Sequence, residues 1–413
     1  MDIAEEMEIE EEKSTPKPSN LKRFGLNNSI QTNFGDDYVF QIVRKDDWTS
    51  MAVSLSTNAV KLYSPLTGQY LGECRGHSST INQISFAGPS APHLLYACSS
   101  DCTLRAWDSR SFQQVSCINT GPSQEVFSFS FGGPGDNLLA AGCKSQIRVW
   151  DWRTMKQTAC LEESHTEDVT QVHFIPGHPS KLVSASIDGL MCLFDTSGDI
   201  NDDDHLVSLR APRLAPCASG DGSPNRLGVF NVGTSIGKVG FFGNTNQKLW
   251  CLTHIETLGV WDWNNTIADA IFEDARSLAS ESWTLDNVDY FVDCHYSTEE
   301  DSLWVIGGTN AGTFGYFPVK YESVKTIASP EAVFQGGHTG IVRSVLPMMS
   351  SVPGRNFKSR GIFGWSGGED GRMCCWLSDD SIGTNSSWVS SALVEKSSKN
   401  RRKMRHSPYA RTR

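Results

Sequence analysis

Strand-like runs that end in an aromatic residue recur along this chain, and their spacing limits what it can fold into more than any other feature. The aromatic residues are Tyr63, Trp107, Trp150, Phe194, Trp261, Phe317 and Trp376. The first three intervals are 44, 43 and 44 residues, and the later ones are 67, 56 and 59. A period of about 40 to 45 residues is that of one four-stranded blade of a β-propeller. The spacing therefore predicts seven blades, the later ones enlarged by insertions.

Two dipeptides mark the limits of these repeats. Four of the aromatic residues are followed by an acid, and these acids are Asp108, Asp151, Asp195 and Asp262. A repeat begins at Gly76-His77 and at Gly337-His338, with Ser164-His165 as a variant. A Gly-His pair followed by a Trp-Asp pair is the signature of a WD repeat, so we assign the repeats to that type.

The last repeat shows how such a sequence builds a blade. Asp370-Gly371 predicts a tight turn between two strands, because Asp and Gly accept the backbone angles that the turn requires. WD repeats place a buried hydrogen-bond relay, ending at an indole N–H, at the positions held here by His338, Ser366, Asp370 and Trp376. We expect this relay to be structural.

Other repeats lack parts of the relay. Phe194 cannot donate a hydrogen bond, and Ala97 stands where the hydroxyl would be. Three net hydrogen bonds contribute only about 3 kcal/mol, whereas each buried aliphatic or aromatic side chain contributes about 1.5 to 3 kcal/mol. We therefore expect incomplete relays to weaken blades without abolishing the fold.

The predicted domain is an all-β, seven-bladed propeller over residues 26–378. We place the seven aromatic residues in outer strands and expect the run from Leu26 to Phe34 to add the outer strand of the last blade. This closure would remove an open sheet edge. Residues 1–25, which are acidic, and residues 379–413, which are basic, are predicted to be disordered flanking segments.

Three insertions break the period, at residues 197–226, 273–289 and 349–359. The first contains an acidic cluster, the second could form a short helix, and the third is a polar loop. Long loops on a rigid scaffold often carry binding, although a tolerated surface insertion is the simpler interpretation.

Five short runs in the fourth, sixth and seventh repeats carry a family resemblance. They are DVTQVHF (Asp168 to Phe174), IDGLMCLFD (Ile187 to Asp195), VIGGTN (Val305 to Asn310), GGHTGIVRS (Gly336 to Ser344) and GGED (Gly367 to Asp370). These runs resemble the WD-repeat-containing protein 89 family over about Leu26 to Leu377, and the insertion at 197–226 departs from the shorter family pattern. The resemblance implies a seven-bladed intracellular propeller without catalytic residues.

Charge is unevenly distributed along the chain. The formal net charge is -11, yet residues 396–413 hold eight Lys and Arg and no acid, so residues 1–395 carry -19. Contact with phosphate needs a cationic surface, which argues against nucleic-acid binding by the propeller itself. An acidic body suits basic protein clients, because complementary fields accelerate their encounter.

The sequence carries no recognised catalytic or cofactor motif. GxSxG, HExxH and GxxxxGK[ST] are absent, and the run from Gly233 to Lys238 is one residue short of the last of these. Twelve cysteines include no CxxC pair, which favours reduced, buried thiols over disulfides or zinc. No run approaches the roughly 18 apolar residues that cross a bilayer. We expect no enzyme activity, cofactor, metal or membrane attachment.

Two WDxR matches, which end at Arg110 and Arg153, suggest a docking function. They resemble the box by which some WD-repeat propellers bind the adaptor of cullin-4 ubiquitin ligases through an Arg on the bottom rim. Arg suits such a contact because its planar guanidinium makes several directed hydrogen bonds. The alternative is that each Arg caps a strand end or pairs with a nearby acid.

The basic C-terminal tail contains a compact nuclear-import pattern. Its members are Lys399, Arg401, Arg402, Lys403 and Arg405. The pattern predicts a nuclear, even nucleolar, protein that is also present in the cytoplasm, and the same cations could contact RNA. The alternative is a tail that only aids solubility.

Together these features favour a non-enzymatic nuclear interaction scaffold that acts in ribosome biogenesis on basic ribosomal or nucleolar proteins. The alternative function is that of a substrate receptor of a cullin-4 RING ubiquitin ligase.

Overall fold

The computed structural model describes residues 22–32, 37–88, 90–198, 228–264, 267–283, 286–347, 362–377 and 393–394. Regular structure in these ranges is almost entirely β-strand. It begins with β1 (Lys22–Gln31), and a short helix, α1 (Ala275–Ser282), precedes the sixth blade. This helix confirms the expectation for residues 273–289. Most of the insertion at 197–226 and all of the loop at 349–359 lie outside the described residues.

Each of the first five blades is a four-stranded antiparallel sheet whose strands follow one another in sequence. Blade 1 contains β2 (Val39–Arg44), β3 (Met51–Leu55), β4 (Val60–Tyr63) and β5 (Tyr70–Cys74). Blade 2 contains β6 (Ile81–Phe86), β7 (Leu94–Ser99), β8 (Thr103–Asp108) and β9 (Gln113–Asn119). Blade 3 contains β10 (Ser128–Gly132), β11 (Leu138–Gly142), β12 (Ile147–Asp151) and β13 (Lys156–Leu161). Blade 4 contains β14 (Gln171–Ile175), β15 (His178–Ala185), β16 (Leu190–Asp195) and β17 (Val229–Asn231). Blade 5 contains β18 (Ile236–Phe242), β19 (Lys248–Thr253), β20 (Leu258–Asp262) and β21 (Ala268–Phe272).

The last two blades depart from this plan. Blade 6 contains β22 (Tyr290–Ser297), β23 (Ser302–Gly308), β24 (Phe314–Lys320) and β26 (Ala332–Phe334), with β25 (Thr326–Ile327) paired to the end of β24. Blade 7 contains β27 (Val342–Pro347), β28 (Ile362–Gly368) and β29 (Arg372–Leu377), and takes its outer strand from β1. A short strand, β30 (Leu393–Val394), pairs with β1.

The N-terminal strand closes the ring, as the sequence predicts. β1 pairs antiparallel with β29, from Gly25 opposite Leu377 to Gln31 opposite Arg372. Its first three residues, Lys22 to Phe24, pair in parallel with β26 of blade 6. The strand begins four residues before the predicted run, and Phe34 lies outside the described residues. One strand therefore completes blade 7 and joins it to blade 6.

Contacts between inner strands confirm seven blades. The inner strands are β2, β6, β10, β14, β18, β22 and β27. Each contacts the next, and β27 contacts β2. The second strand of a blade lies between two neighbouring blades, so both of its faces are apolar and buried, as in β3 and β11.

Side-chain hydrogen bonds join every blade to the next. In each of these inter-blade hydrogen bonds, a side chain near the inner edge of one blade pairs with the backbone of the following blade. The bonds join Gln41 Oε1 to Ile84 N, Gln83 Oε1 to Phe129 N, Ser130 Oγ to Phe174 N, Thr170 Oγ1 to Ile236 O, Lys238 Nζ to Val292 O, Tyr290 OH to Val342 N, and Ser344 Oγ to Ile42 N. All seven junctions are therefore bridged.

The placement of the repeating aromatic residues in outer strands was wrong. Each lies on the third strand from the centre, as Trp107 does on β8 and Trp376 on β29. There Trp107 is 1% exposed and packs between blades 1 and 2, whereas Val115 on the outer strand of blade 2 is 54% exposed. A large aromatic side chain is buried on the third strand and would face water at the rim.

Candidate interaction surface

The relay expected in the last repeat is assembled in blade 7. Trp376 Nε1 donates to Ser366 Oγ over 2.7 Å, and Ser366 Oγ lies 2.7 Å from His338 Nε2. His338 Nδ1 lies 3.0 Å from a carboxylate oxygen of Asp370. Because a carboxylate only accepts, Nδ1 carries the proton and Nε2 accepts from the Ser366 hydroxyl. The structure thus brings all four predicted residues into one chain of hydrogen bonds.

Asp370 anchors this relay at a tight turn. Its carboxylate accepts hydrogen bonds from the backbone N–H groups of Thr339 at 2.8 Å and Arg372 at 3.1 Å. Gly371 follows with a φ of +69°, which glycine adopts without steric cost. Burial alone would raise the pKa of Asp370, but the hydrogen bond from His338 and those from the two backbone amides hold that pKa below its ordinary value. The carboxylate therefore stays ionised at neutral pH.

Blade 4 holds a shorter version of the relay. His165 Nδ1 lies 3.0 Å from Asp188 Oδ2, and His165 Nε2 lies 2.6 Å from Ser184 Oγ. Phe194 replaces the indole, so the chain of hydrogen bonds ends at the hydroxyl.

The hydrogen-bond relay of blade 2 is interrupted. His77 Nδ1 lies 2.9 Å from Asp101 Oδ2, but Ala97 supplies no hydroxyl, and His77 Nε2 is buried without a hydrogen-bond partner. Trp107 Nε1 donates instead to the carbonyl of Arg75 at 3.2 Å. Burial lowers the pKa of His77 and outweighs the opposing effect of Asp101, so this imidazole is neutral at physiological pH.

The order of the strands gives the ring two different faces. Turns from the second to the third strand lie at the same end of a blade as the connections to the next blade, because neighbouring strands are antiparallel. We call this end the relay face, since His77, His165 and His338 and their Asp partners lie there. The other end, with the remaining turns, is the opposite face.

The two WDxR arginines lie on the opposite face, in equivalent turns of blades 2 and 3. Arg110 Nε donates to Asp108 Oδ1 at 2.9 Å, and the Arg110 side chain is 69% exposed. The Arg153 guanidinium, also exposed, donates to the carbonyl of Gly135. Both side chains thus make the local contacts that the simpler interpretation describes, and both remain open to solvent.

Two blade-to-blade connections give the relay face a strongly acidic region. The connection 162–170, between blades 3 and 4, contains four acids and no Lys or Arg, and three of the acids are exposed: Glu162, Glu163 and Glu167. The connection 273–289, between blades 5 and 6, contains Arg276 as its single Lys or Arg. Its exposed acids are Glu273, Asp274 and Asp286, and also Glu281 on α1, which runs beside the outer strands of blade 6, where Ser282 Oγ donates to the carbonyl of Ala328 at 3.1 Å.

Exposed apolar side chains lie between these two connections. Ile187, in the second-to-third turn of blade 4, is 39% exposed, and Ile255, in the same turn of blade 5, is 64% exposed. We define the acidic arc as the connections 162–170 and 273–289 together with the turns 186–189 and 254–257.

Hydrogen bonds between neighbouring loops make the acidic arc continuous. Ile187 N donates to the carbonyl of Asp168, which joins the first connection to the turn of blade 4. Ser235 Oγ lies 2.6 Å from His254 Nδ1, and so joins the connection after blade 4 to the turn of blade 5. Glu256 accepts from Phe291 N at 2.7 Å at the start of blade 6. The arc therefore spans blades 3 to 6 as one surface.

Motif reasoning missed the acidic arc. The sequence does carry its signal, since acids outnumber Lys and Arg in connections 162–170 and 273–289. Only the blade topology shows that both connections begin at the same face. The basic tail residues, from Lys399 to Arg405, lie outside the described residues.

Two further titratable side chains, outside the His-Asp relays, are uncharged at neutral pH. Burial lowers the pKa of His173 to about 4 and raises that of Cys251 to about 12, so both are neutral. Within the described residues, no group of three or more His, Cys, Asp or Glu is placed to hold a metal ion. Among the same residues no helix is both long and apolar enough to span a membrane.

The closed ring of blades and the His-Asp relays define a WD-repeat β-propeller. The chain is 60% identical to WD repeat-containing protein GTS1 of Arabidopsis thaliana, over 99% of this chain and 100% of the relative. It is 30% identical to WD repeat-containing protein 89 homolog of Dictyostelium discoideum, over 85% of this chain and 86% of the relative. The chain therefore belongs to the WD-repeat-containing protein 89 family.

Two repeats also match a family model, that of the WD domain, G-beta repeat. The matched residues are 68–108 and 156–195. Each match runs from the outer strand of one blade to the third strand of the next, and each contains one His-Asp pair, His77 with Asp101 or His165 with Asp188. Proteins of this class are generally non-enzymatic scaffolds that bind other proteins.

Completing the relay of blade 2 should stabilise the protein. Ala97→Ser would place a hydroxyl beside the unpartnered His77 Nε2, and we expect the free energy of unfolding to rise by about 1 kcal/mol in urea unfolding. Ser184→Ala, which removes the matching hydroxyl from His165, should lower it by about 1 to 3 kcal/mol. Ala106→Ser adds a hydroxyl elsewhere in the core of blade 2 and serves as the control. Equal destabilisation by Ala97→Ser and Ala106→Ser would contradict this account.

Proposed function

We propose that this chain is a nuclear scaffold that receives basic protein clients, ribosomal and nucleolar proteins among them, on its acidic arc during ribosome biogenesis. The observation that carries the proposal is that both acidic connections, 162–170 and 273–289, leave the ring at its relay face and carry exposed acids. Complementary charge accelerates the encounter with a cationic partner.

Ile187 and Ile255 add the apolar component that such an interface needs. Apolar anchors that become fully desolvated carry most of the binding energy, while surrounding charges set specificity and the association rate. The acidic arc has this composition, with two exposed isoleucines between two acidic loops. A client with basic residues on either side of an apolar segment fits it.

Charge reversal on the acidic arc tests this proposal. We expect the triple variant Glu162→Lys, Glu163→Lys, Glu167→Lys to lose at least about tenfold in the recovery of basic nuclear proteins, measured by affinity purification and quantitative mass spectrometry. The matched control is Glu299→Lys, Glu300→Lys, Glu322→Lys, which changes the net charge equally but on exposed turns of the opposite face. Equal losses in both variants, or no loss in either, would remove the acidic arc as the client site.

The proposed nuclear residence rests on the basic tail. Residues 396–413 hold eight Lys and Arg and no acid, and five of these form the compact import pattern. The same density of cations gives the tail the phosphate-binding character of an RNA contact.

A reporter fused to residues 390–413 should accumulate in the nucleus. Replacing Lys399, Arg401, Arg402, Lys403 and Arg405 with Ala should abolish this accumulation. Replacing Lys396, Arg411 and Arg413 instead, which lie outside the compact pattern, should leave the nuclear accumulation unchanged. An exclusively cytoplasmic signal from the unmodified fusion would argue against the tail as an import signal.

A second candidate function is that of a substrate receptor of a cullin-4 RING ubiquitin ligase. The observation in its favour is that Arg110 and Arg153 occupy equivalent turns of adjacent blades on the opposite face, with both side chains exposed. That face is away from the acidic arc, so an adaptor and a client would not compete for the same surface.

Under this second candidate, Arg110→Ala with Arg153→Ala should eliminate co-purification of the cullin-4 adaptor. The matched control is Lys45→Ala with Lys325→Ala, two cations in other turns of the same face. Absence of the adaptor from the unmodified protein, or its undiminished recovery with the double Arg variant, would remove the candidate.

A further inference from the structure

Within the part of the chain that the structure describes, the outer edge of β1 is only partly covered. Residues 25–31 of β1 pair with β29, and Ile30 and Gln31 pair with β30 as well. A strand pairs with two neighbours at the same residues only through opposite edges, so β30 lies on the outer edge of blade 7. Across residues 25–29, no strand of the described chain pairs with that outer edge.

The register of β30 points to what covers the rest of the edge. β30 is parallel to β1, with Leu393 opposite Ile30 and Val394 opposite Gln31. The same register continued towards the N-terminus would set residues 388–392, which lie outside the described residues, opposite residues 25–29. The sequence of residues 388–394 is WVSSALV, which has no charge, no Pro and no Gly, and includes Trp and two Val. This composition is typical of a β-strand.

We propose that residues 388–394 of this chain dock along the outer edge of β1 as a fifth strand of blade 7. An open edge presents backbone N–H and C=O groups that an added strand can pair with. The two-residue ladder of β30 alone would contribute little, because each backbone hydrogen bond adds only a small net stabilisation. A ladder of seven residues uses the whole edge from Gly25 to Gln31.

This docking fixes where the basic tail begins. The parallel strand runs towards the Gln31 end of β1, where Thr32 N donates to the carbonyl of Gly371 on the relay face. Residues 395–413 therefore start on the same face as the acidic arc. The docked strand itself rests on pairing at β1 and is independent of the proposed client function.

Hydrogen exchange tests the docked strand in the full-length protein. Ser391→Pro removes a backbone donor from the middle of the segment, and Ser386→Pro, two residues before it, is the control. We expect the backbone amides of residues 25–29 and 388–394 that point into the new ladder to exchange at least about tenfold more slowly in the unmodified protein and in Ser386→Pro than in Ser391→Pro. Unchanged exchange in blade 3 would show that Ser391→Pro still folds.

Truncations give a second measurement. A chain ending at Ser387 should lose the protection of residues 25–29, a chain ending at Glu395 should keep it, and a synthetic peptide of residues 388–395 should restore it to the shorter chain. The same exchange rates in all chains would overturn the proposal. Protection that grows with protein concentration, together with a dimer on size-exclusion chromatography, would assign the edge to a second copy's segment and also overturn it.

Discussion

Each inner strand of this ring has an edge that faces the centre, where no further strand can pair with its backbone. Unpaired backbone groups in a folded chain are costly, so a propeller needs partners for them. Here side chains of the neighbouring blade supply these partners, as when Gln83 Oε1 accepts from Phe129 N and Ser344 Oγ accepts from Ile42 N. Because such a bond exists at every junction, the blades are held in sequence around the ring and the last is bonded to the first.

This constraint explains why the His-Asp relays can be incomplete. The relays act within single blades and leave the junctions to other groups. His77 Nε2 lacks a hydroxyl partner and the Phe194 side chain has no N–H to donate, yet blades 2 and 4 keep their four strands and their packing against neighbours. The inter-blade core is apolar on both sides of each junction, as where Trp107 packs against side chains of blade 1. Apolar packing and the inter-blade hydrogen bonds hold the ring together. The connecting loops are therefore free to carry charge.

The period and turn chemistry predicted the blades but not the role of each strand. The third strand of each blade carries the aromatic signal, whereas an outer strand such as β9, with sequence QQVSCIN, is largely exposed and has little apolar pattern. The aromatic run therefore looks like the end of the blade when the sequence is read alone. The turn at Asp370-Gly371 and the helix α1 were predictable, because both depend on local chemistry.

The inter-blade hydrogen bonds and the acidic arc could not be predicted in the same way. Gln41, Gln83 and Ser130 are common polar residues at no fixed spacing, and only the ring brings each of them beside the next inner strand. The acids of the acidic arc are separated by about a hundred residues of sequence between Glu167 and Glu273. That these acids share one face is evident only once the blade topology is known, because the topology decides at which end of the strands each loop lies.

The two faces separate the interactions that this chain can make. The acidic arc and the end of β1 that meets β30 lie on the relay face, while Arg110 and Arg153 lie on the opposite face. The strands between the faces are tied to neighbouring blades on both sides, so binding at one face need not rearrange the other. A partner that recognises Arg110 and Arg153 and one that recognises the acidic arc would therefore meet different surfaces of the ring.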